Sequence, residues 1–402
     1  MISLFGASFL KLKSYCESQN FKGWDPYDGL NSRVFQATPL KNWSFARLAW
    51  IQIFKRSPFN FRKMLIVPKQ YNAKGIALFL STYCNLLRLA RSGDLTFGTV
   101  EGIENQIHSL AKLLISLRSQ GYSGSCWGYG FDWESKAFFL PKNTPTVVAT
   151  SFAVEALLDA YSLTGLEEYK DIALSSSDFI LKDLNRIRRD SGDFLFSYSP
   201  IDNRAVYNAS LLGSKTLALI YHYCADNSFR EMAVSTAKAV LSEQNSDGSF
   251  PHSDQVGESW RDSFHTGFKL ESLVYVSRYC NEPSIESQIH DGFIYWRDNY
   301  FDSNSGFSFY YDRGLNKELV DLHCVSQALA TFHKLGLWGQ NVDLIDKIVS
   351  WAVDNMQSPE GYFYFQKKRG YTNRISYSRW PNAWMMYGLS YWLINQKNDG
   401  KD

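Results

Sequence analysis

The feature that most constrains this chain is a glycine-and-aromatic cluster that returns along its length. It reads Trp127-Gly-Tyr129, Gly192-Asp-Phe-Leu-Phe-Ser-Tyr198, Asp247-Gly-Ser-Phe250, Gly306-Phe-Ser-Phe-Tyr-Tyr311 and Gly361-Tyr-Phe-Tyr-Phe365. Successive glycines lie 64, 56, 58 and 55 residues apart, and Lys22-Gly-Trp-Asp-Pro-Tyr27 is a weaker earlier copy. Self-similarity at a fixed pitch marks a repeat architecture, in which one supersecondary unit cannot bury its apolar face alone.

Between clusters the pattern is constant. A polar loop leads into a helix with small and apolar residues on most faces, predicted over 147–161, 209–223, 266–279, 325–334 and 383–393. A more amphipathic helix follows, over 167–183, 229–243, 285–300 and 342–356. Spacing of i, i+3 and i+4, as in Ala156, Leu157, Ala160 and Tyr161, is the helical signature. The first helix of each pair should be buried and the second should face water. About six such pairs can close into a ring, an all-α (α/α)6 toroid with the clustered loops at one mouth around a central cavity. An open solenoid is the alternative, but solenoid repeats are usually shorter, about 34–47 residues. No linker interrupts the pattern, so residues 20–396 read as a single toroid domain, 1–19 as an N-terminal helix and 397–402 as a frayed tail.

Composition narrows the function. The chain has 402 residues, with 42 Lys and Arg against 40 Asp and Glu, and no run of like charge suited to nucleic acid. Its 12 Trp, 24 Tyr and 28 Phe exceed what a core needs and suggest a concave surface lined with rings. Six cysteines without C-x-x-C spacing point to the reducing cytosol. The apolar stretches are short and interrupted, so no transmembrane segment is expected. Phosphate-loop, dinucleotide-binding, nucleophile-elbow and zincin motifs are absent.

The hairpin pattern is similar to the six-hairpin barrels of terpenoid cyclases, prenyltransferases, polysaccharide lyases and glycoside hydrolases. Gln244-Asn-Ser-Asp-Gly-Ser-Phe250 resembles the Q-x-x-D-G-S-W turn of triterpene cyclases, a marker of fold; the cyclases' D-x-D-D acid motif is missing. Further phrases resemble VpsJ-type proteins of bacterial exopolysaccharide and O-antigen clusters: Trp127-Gly-Tyr-Gly-Phe-Asp-Trp133, Thr144-Pro-Thr-Val-Val-Ala-Thr150, Phe196-Ser-Tyr-Ser-Pro200 with Val206-Tyr-Asn-Ala-Ser210, Trp260-Arg-Asp-Ser-Phe-His-Thr-Gly267, Asp321-Leu-His323 and Arg379-Trp-Pro-Asn-Ala-Trp384. That resemblance, over roughly residues 20–395, implies a cytoplasmic role in surface-glycan assembly and brings no settled reaction.

These phrases sit where loops enter inner helices, so their polar residues should converge. Asp262 and His265, three apart at a helix start, read either as an acid/base pair or as a helix cap beside a structural histidine. Asp321 and His323 are candidates for sugar binding or proton transfer. With Cys324 they are also zinc-ligand types, but no fourth ligand is spaced to join them, and no metal is assigned. Asp132 and Glu134 flank Trp133 and have the residue types of a glycosidase pair; Asp25 and Asp28 read as caps. Tyr198, Tyr207 and Asn208, with His265, supply the residue types that toroid lyases use around a uronate. Arg261, Lys317 and Arg379 are candidate anchors for a carboxylate or sugar-nucleotide phosphate, and Asn382 is a further substrate-binding candidate. Trp127, Tyr129, Trp133, Trp260, Tyr311 and Trp380 are candidate stacking platforms for sugar C–H faces, against core packing for any one of them.

The leading expectation is acid/base chemistry on a sugar, oligosaccharide or nucleotide-sugar: hydrolysis, epimerisation or elimination, with no cofactor. The rivals are a non-catalytic glycan-binding or scaffold protein touching the assembly machinery, and an enzyme handling a polyprenyl carrier.

Overall fold

A computed structural model describes residues 3–135, 138–255, 257–312 and 318–398. The chain opens with α1 (Leu4–Ser18), followed by the short α2 (Arg33–Gln36) and α3 (Ser44–Arg56). Six inner helices then follow: α4 (Ala73–Arg91), α6 (Val147–Thr164), α8 (Tyr207–Cys224), α10 (Ser263–Tyr279), α12 (Leu322–Lys334) and α14 (Trp384–Asn398). They alternate with α5 (Val100–Ser116), α7 (Glu167–Asp178), α9 (Asn227–Leu241), α11 (Glu286–Tyr300) and α13 (Val342–Met356).

Each inner helix packs on the next, and α14 packs back on α4, which closes the ring. The sixth outer position is filled by α1, which packs on α13 and α14 and buries Phe9 and Leu12 completely. The N-terminal helix, set apart in the sequence reading, is therefore a working part of the ring. The pair α4/α5 is the one missing from the predicted helices, although it too lies between two of the clusters. The tail from residue 399 and Lys317 lie outside the described residues.

Inner helices are apolar on nearly all sides because they have neighbours on nearly all sides. Among the described residues α6 alone is long and apolar enough to cross a membrane, and most of it is buried within the ring. Of the predicted inner helices, α8, α10 and α12 begin two or three residues earlier than the apolar pattern suggested, α6 begins at Val147 as expected, and α14 begins one residue later. Their starts are set by caps: Asn72, Thr146, Asp262 and Asp321 each accept a backbone N–H from the first turn.

The recurring loops weld the ring in two repeated ways. At the mouth, each loop offers a carbonyl to the start of the preceding inner helix. Val147 N donates to Tyr198 O, Tyr207 N to His252 O, Ser263 N to Tyr310 O, and Leu322 N to Phe365 O. The last bond of the series joins the two ends of the chain, from Ser378 N to Trp24 O at 3.0 Å. At the periphery, the loop glycines press on the next outer helix. A Cβ on Gly248 would lie 2.5 Å from Asp291 O, one on Gly306 2.2 Å from Lys347 O, and one on Gly361 2.5 Å from Lys11 O. All three glycines have positive φ, so both conformation and space demand glycine. Gln244 Nε2 donates to Gly248 O and to Gln288 O of α11, and Gln357 Nε2 repeats this with Gly361 O and Ser8 O of α1.

Short antiparallel hairpins decorate the loops: β1 (Trp133–Glu134) with β2 (Phe139–Leu140), β3 (Arg186–Arg188) with β4 (Phe194–Phe196), and β5 (Leu319–Asp321) with β6 (Gln366–Lys368) and β7 (Tyr371–Asn373). Deeper in the ring the expected cavity is occupied. Glu155 pairs with Lys215 at 2.7 Å and with Lys334 at 2.8 Å, and Lys334 also meets Glu271 at 3.2 Å. Tyr275 Oη donates to Glu155 and Thr331 Oγ1 to Glu271, so this buried network across α6, α8, α10 and α12 satisfies its own charges. It forms a charged floor beneath the mouth.

Candidate active site

The chemistry-bearing residues of the mouth are first of all helix caps. Asp262 is fully buried at the start of α10, and one carboxylate oxygen accepts His265 N–H at 2.8 Å. Its other oxygen lies 2.7 Å from His265 Nδ1. One carboxylate both caps the helix and orients the imidazole, so the cap does not exclude the acid/base reading. In the tautomer whose Nδ1 proton points at Asp262, Nε2 keeps its lone pair, and the ring is about one-fifth exposed.

Two histidines accompany it. His252 stacks on Trp260 with centroids 3.9 Å apart and lies 5.1 Å from His265. Burial is the chief cause that pushes the His252 imidazole down to about 2, so it stays neutral. His323 is buried between Phe264 at 4.2 Å and Trp384 at 4.2 Å, and neither ring nitrogen has a hydrogen-bond partner among the described residues. Burial holds it well below the usual histidine range. Asp321 accepts Trp380 Nε1 and Gln366 Nε2, each at 2.7 Å, and caps α12 through His323 N. Burial lifts its carboxyl to about 6 against those donors.

Lys74 is not singled out by the sequence, because no motif marks it at the start of α4. It is buried with its ammonium over three rings: Phe152 at 4.2 Å, Phe268 at 4.8 Å and Trp384 at 5.1 Å. Burial, and then the nearby Arg379 charge, hold it well below the usual lysine range. Lys269, one turn beyond His265, donates to Pro251 O, and burial brings it down to about 7.

Ring contacts and a cation–π bridge gather most of these groups. Trp133 meets Tyr198, and the Arg379 guanidinium lies over both Tyr129 and Trp380. Trp380 meets His323 and Phe264, and Phe264 meets His265. Tyr311 bridges to Asp262 through the backbone, and Tyr27 meets Trp380. A shallow cleft opens beside this array, lined by Gly23, Asp25, Asn31, Gln70, Phe131 and Arg379.

Other candidates sit apart from this array or are engaged elsewhere. Trp127 is completely buried and donates its indole N–H to Leu114 O, so it packs one hairpin on the next. Tyr207 is completely buried and Asn208 nearly so; a sugar could reach neither without opening the packing at the start of α8. Glu134 is buried in an ion pair with Arg47 at 2.6 Å, and Asp132 accepts Lys142 N, which separates the tasks of the supposed carboxylate pair. Arg379 is committed to Asp25 through two bonds of 2.6 and 2.8 Å, a bidentate pair that leaves no fork for a ligand anion. Asp28 is held likewise by Arg62 at 2.7 Å, so Asp25 and Asp28 are ion-pair partners as well as turn residues. Arg261 ties Ser249 to Asp312, and Asn382 accepts Phe363 N–H and donates to Ser376.

No family model and no curated protein matches the chain. Solved structures do. Cellobiose 2-epimerase from Bacillus thermoamylovorans superposes with a TM-score of 0.61 at 12% identity, over 82% of this chain and 90% of that one. Unsaturated glucuronyl hydrolase from Bacillus sp. GL1 gives 0.60 at 10% identity, over 97% and 96%. The glycoside hydrolase family 76 mannosidase Bt3792 from Bacteroides thetaiotaomicron gives 0.59 at 10%, over 86% and 92%. This chain has the (α/α)6 toroid fold. At such identities the likeness establishes architecture and assigns no reaction.

Proposed function

We propose that this protein is a sugar-processing enzyme of the acid/base kind, acting by proton transfer in the manner of an epimerase or isomerase. The observation that carries the reading is the Asp262–His265 couple set in a ring-lined mouth. With Nδ1 held by a buried carboxylate, the imidazole presents Nε2 as a general base. On an open-chain sugar, His265 Nε2 takes the proton from the carbon beside the carbonyl and the electron pair moves into the enolate. After the proton on His265 exchanges with solvent and the enolate turns over in the mouth, redelivery to the same carbon inverts the centre; delivery to the former carbonyl carbon, with the adjacent hydroxyl proton passing to the enolate oxygen, moves the carbonyl. Trp260, Tyr129, Trp133 and Trp380 supply apolar faces for the sugar ring. Two-carboxylate hydrolysis is less well supported, because it needs two carboxyls facing one bond, whereas Glu134 is spent on Arg47 and Asp262 lies behind His265. The three similar structures named above are an epimerase, an unsaturated glucuronyl hydrolase and a mannosidase, which agrees with a sugar as substrate.

The finer setting we infer is cytoplasmic assembly of a bacterial surface polysaccharide. Its support is the resemblance to VpsJ-type proteins together with six cysteines that are all free.

The test is incubation with reducing hexoses and disaccharides in D₂O, followed by proton NMR. The expected result is a new sugar carrying solvent deuterium at the exchanged carbon, with no product from His265→Ala. Turnover that survives His265→Ala overturns the reading. Saturable sugar binding without turnover would support the glycan-binding alternative instead.

A further inference from the structure

Residues 29–93 contain no aspartate or glutamate, although the whole chain is nearly neutral. Within that stretch, residues 33–69 carry eight Lys and Arg. This segment forms a layer across the mouth. Its underside holds a small apolar core of its own, in which Leu30, Phe35 and Ile51 pack with Tyr27, Trp50, Trp133 and Phe139. The layer is fastened to the ring by Arg62 on Asp28 and Tyr377, Arg47 on Glu134, and Trp50 Nε1 on Gly29 O.

The other side of the layer is unlike the rest of the surface. Eight of the thirteen large apolar side chains exposed among the described residues lie between residues 34 and 66. Trp43 is 58% exposed, Phe45 65%, Ile53 52%, Phe59 71% and Met64 68%. On α3, Phe45, Ala49 and Ile53 form one i, i+4 ridge, while Ile51 and Phe54 point into the layer. Exposed Lys41, Arg56, Lys63 and Lys69 are interspersed. The β6–β7 hairpin extends the face: Tyr371 Oη donates to Arg56 O, and exposed Arg369 lies nearby in the turn.

We propose that this face docks on the anionic headgroups of a lipid bilayer, with the mouth of the ring turned toward the membrane surface. Rings and branched apolar chains among Lys and Arg, with acids excluded, are the composition of an interfacial surface. The aromatic and aliphatic tips enter the headgroup boundary and the cations meet lipid phosphates. A second copy of the chain is a poor occupant, since a two-fold interface would set this cationic face against itself. The inference stands on the surface alone and does not depend on the sugar reading, so vesicle binding and turnover can fail separately.

The experiment is co-sedimentation of the full chain with vesicles of phosphatidylcholine, with or without one-third phosphatidylglycerol. Binding is expected to the anionic vesicles only, and to fall at least about tenfold between low and high salt. The triple variant Lys41→Glu/Arg56→Glu/Lys63→Glu, and separately Phe45→Ser/Ile53→Ser/Phe59→Ser, should each lose at least about tenfold while keeping wild-type circular dichroism. Brominated lipid in anionic vesicles should quench a fluorescence component of the unmodified chain that Trp43→Phe lacks, a readout that needs no folding-sensitive variant. Absence of binding to anionic vesicles at low salt overturns the proposal. So does binding indifferent to all these substitutions, or a dimer in light scattering that Phe45→Ser abolishes.

Discussion

At the residue scale, the pairing of Asp262 with His265 was legible because both features lie within one helical turn. A capping residue followed three positions later by an imidazole has little choice of partner. His252 and Lys74 were not legible, since their importance comes from what other repeats stack upon them. The structure separates the two jobs of Asp262. Asp262→Asn should keep the cap, because asparagine caps about as well, and lower kcat by loosening the imidazole. Asp262→Ala should lose the same activity and in addition about 1 kcal/mol of stability, read from urea unfolding. Asp321 gives a pH signature. Its folded pKa, about 6, lies above the free value of 3.8, so the folded state binds the proton more tightly. The stability it contributes is full below the free value and is lost as pH rises through about 6. Relative to wild type, Asp321→Asn should therefore gain about 1–3 kcal/mol between pH 4 and pH 7. Thermal melts at the two pH values check this, and the similarly raised carboxyl of Asp28 cancels because both proteins contain it.

At the element scale, the repeat pitch and the order of buried and amphipathic helices could be read directly, because each unit must bury the same face against its neighbours. The bonds that join units were only half legible. The sequence shows a glycine in every loop, but not that Gly248, Gly306 and Gly361 press on carbonyls of the following outer helix. Gly306→Ala places a Cβ where Lys347 O stands and strains a positive φ, so it should cost about 1–3 kcal/mol. Gly336→Ala, also at positive φ but with open space around it, should cost less; chemical denaturation of both variants tests the comparison. The layer over 33–69 was not foreseen as an element, since it belongs to no repeat and its apolar residues are split between an underside core and an exposed face.

At the scale of the whole molecule, closure is what brings distant loops to one mouth. The ends of the chain are joined by Ser378 and Trp24, by α4 on α14, and by α1 in the last outer position. Deleting residues 1–19 should therefore expose α13 and α14 and abolish the cooperative transition seen in calorimetry. A chain in which α1 were a mere appendage would keep its melting temperature. The filled floor explains why an aromatic-rich ring need not be a deep hydrophobic pocket: the charged network of Glu155, Lys215, Glu271 and Lys334 ends the cavity where a long apolar substrate would have to lie.

The central claim is that Asp262 and His265 work as one proton-transfer unit. It is tested most directly by a kinetic cycle of Asp262→Asn, His265→Ala and the double variant on whichever sugar the D₂O screen yields. We expect His265→Ala to lower kcat by about 10²–10⁴-fold, and the double variant to be no slower than His265→Ala alone. Losses that multiply independently, or a His265→Ala enzyme as fast as wild type, would contradict it.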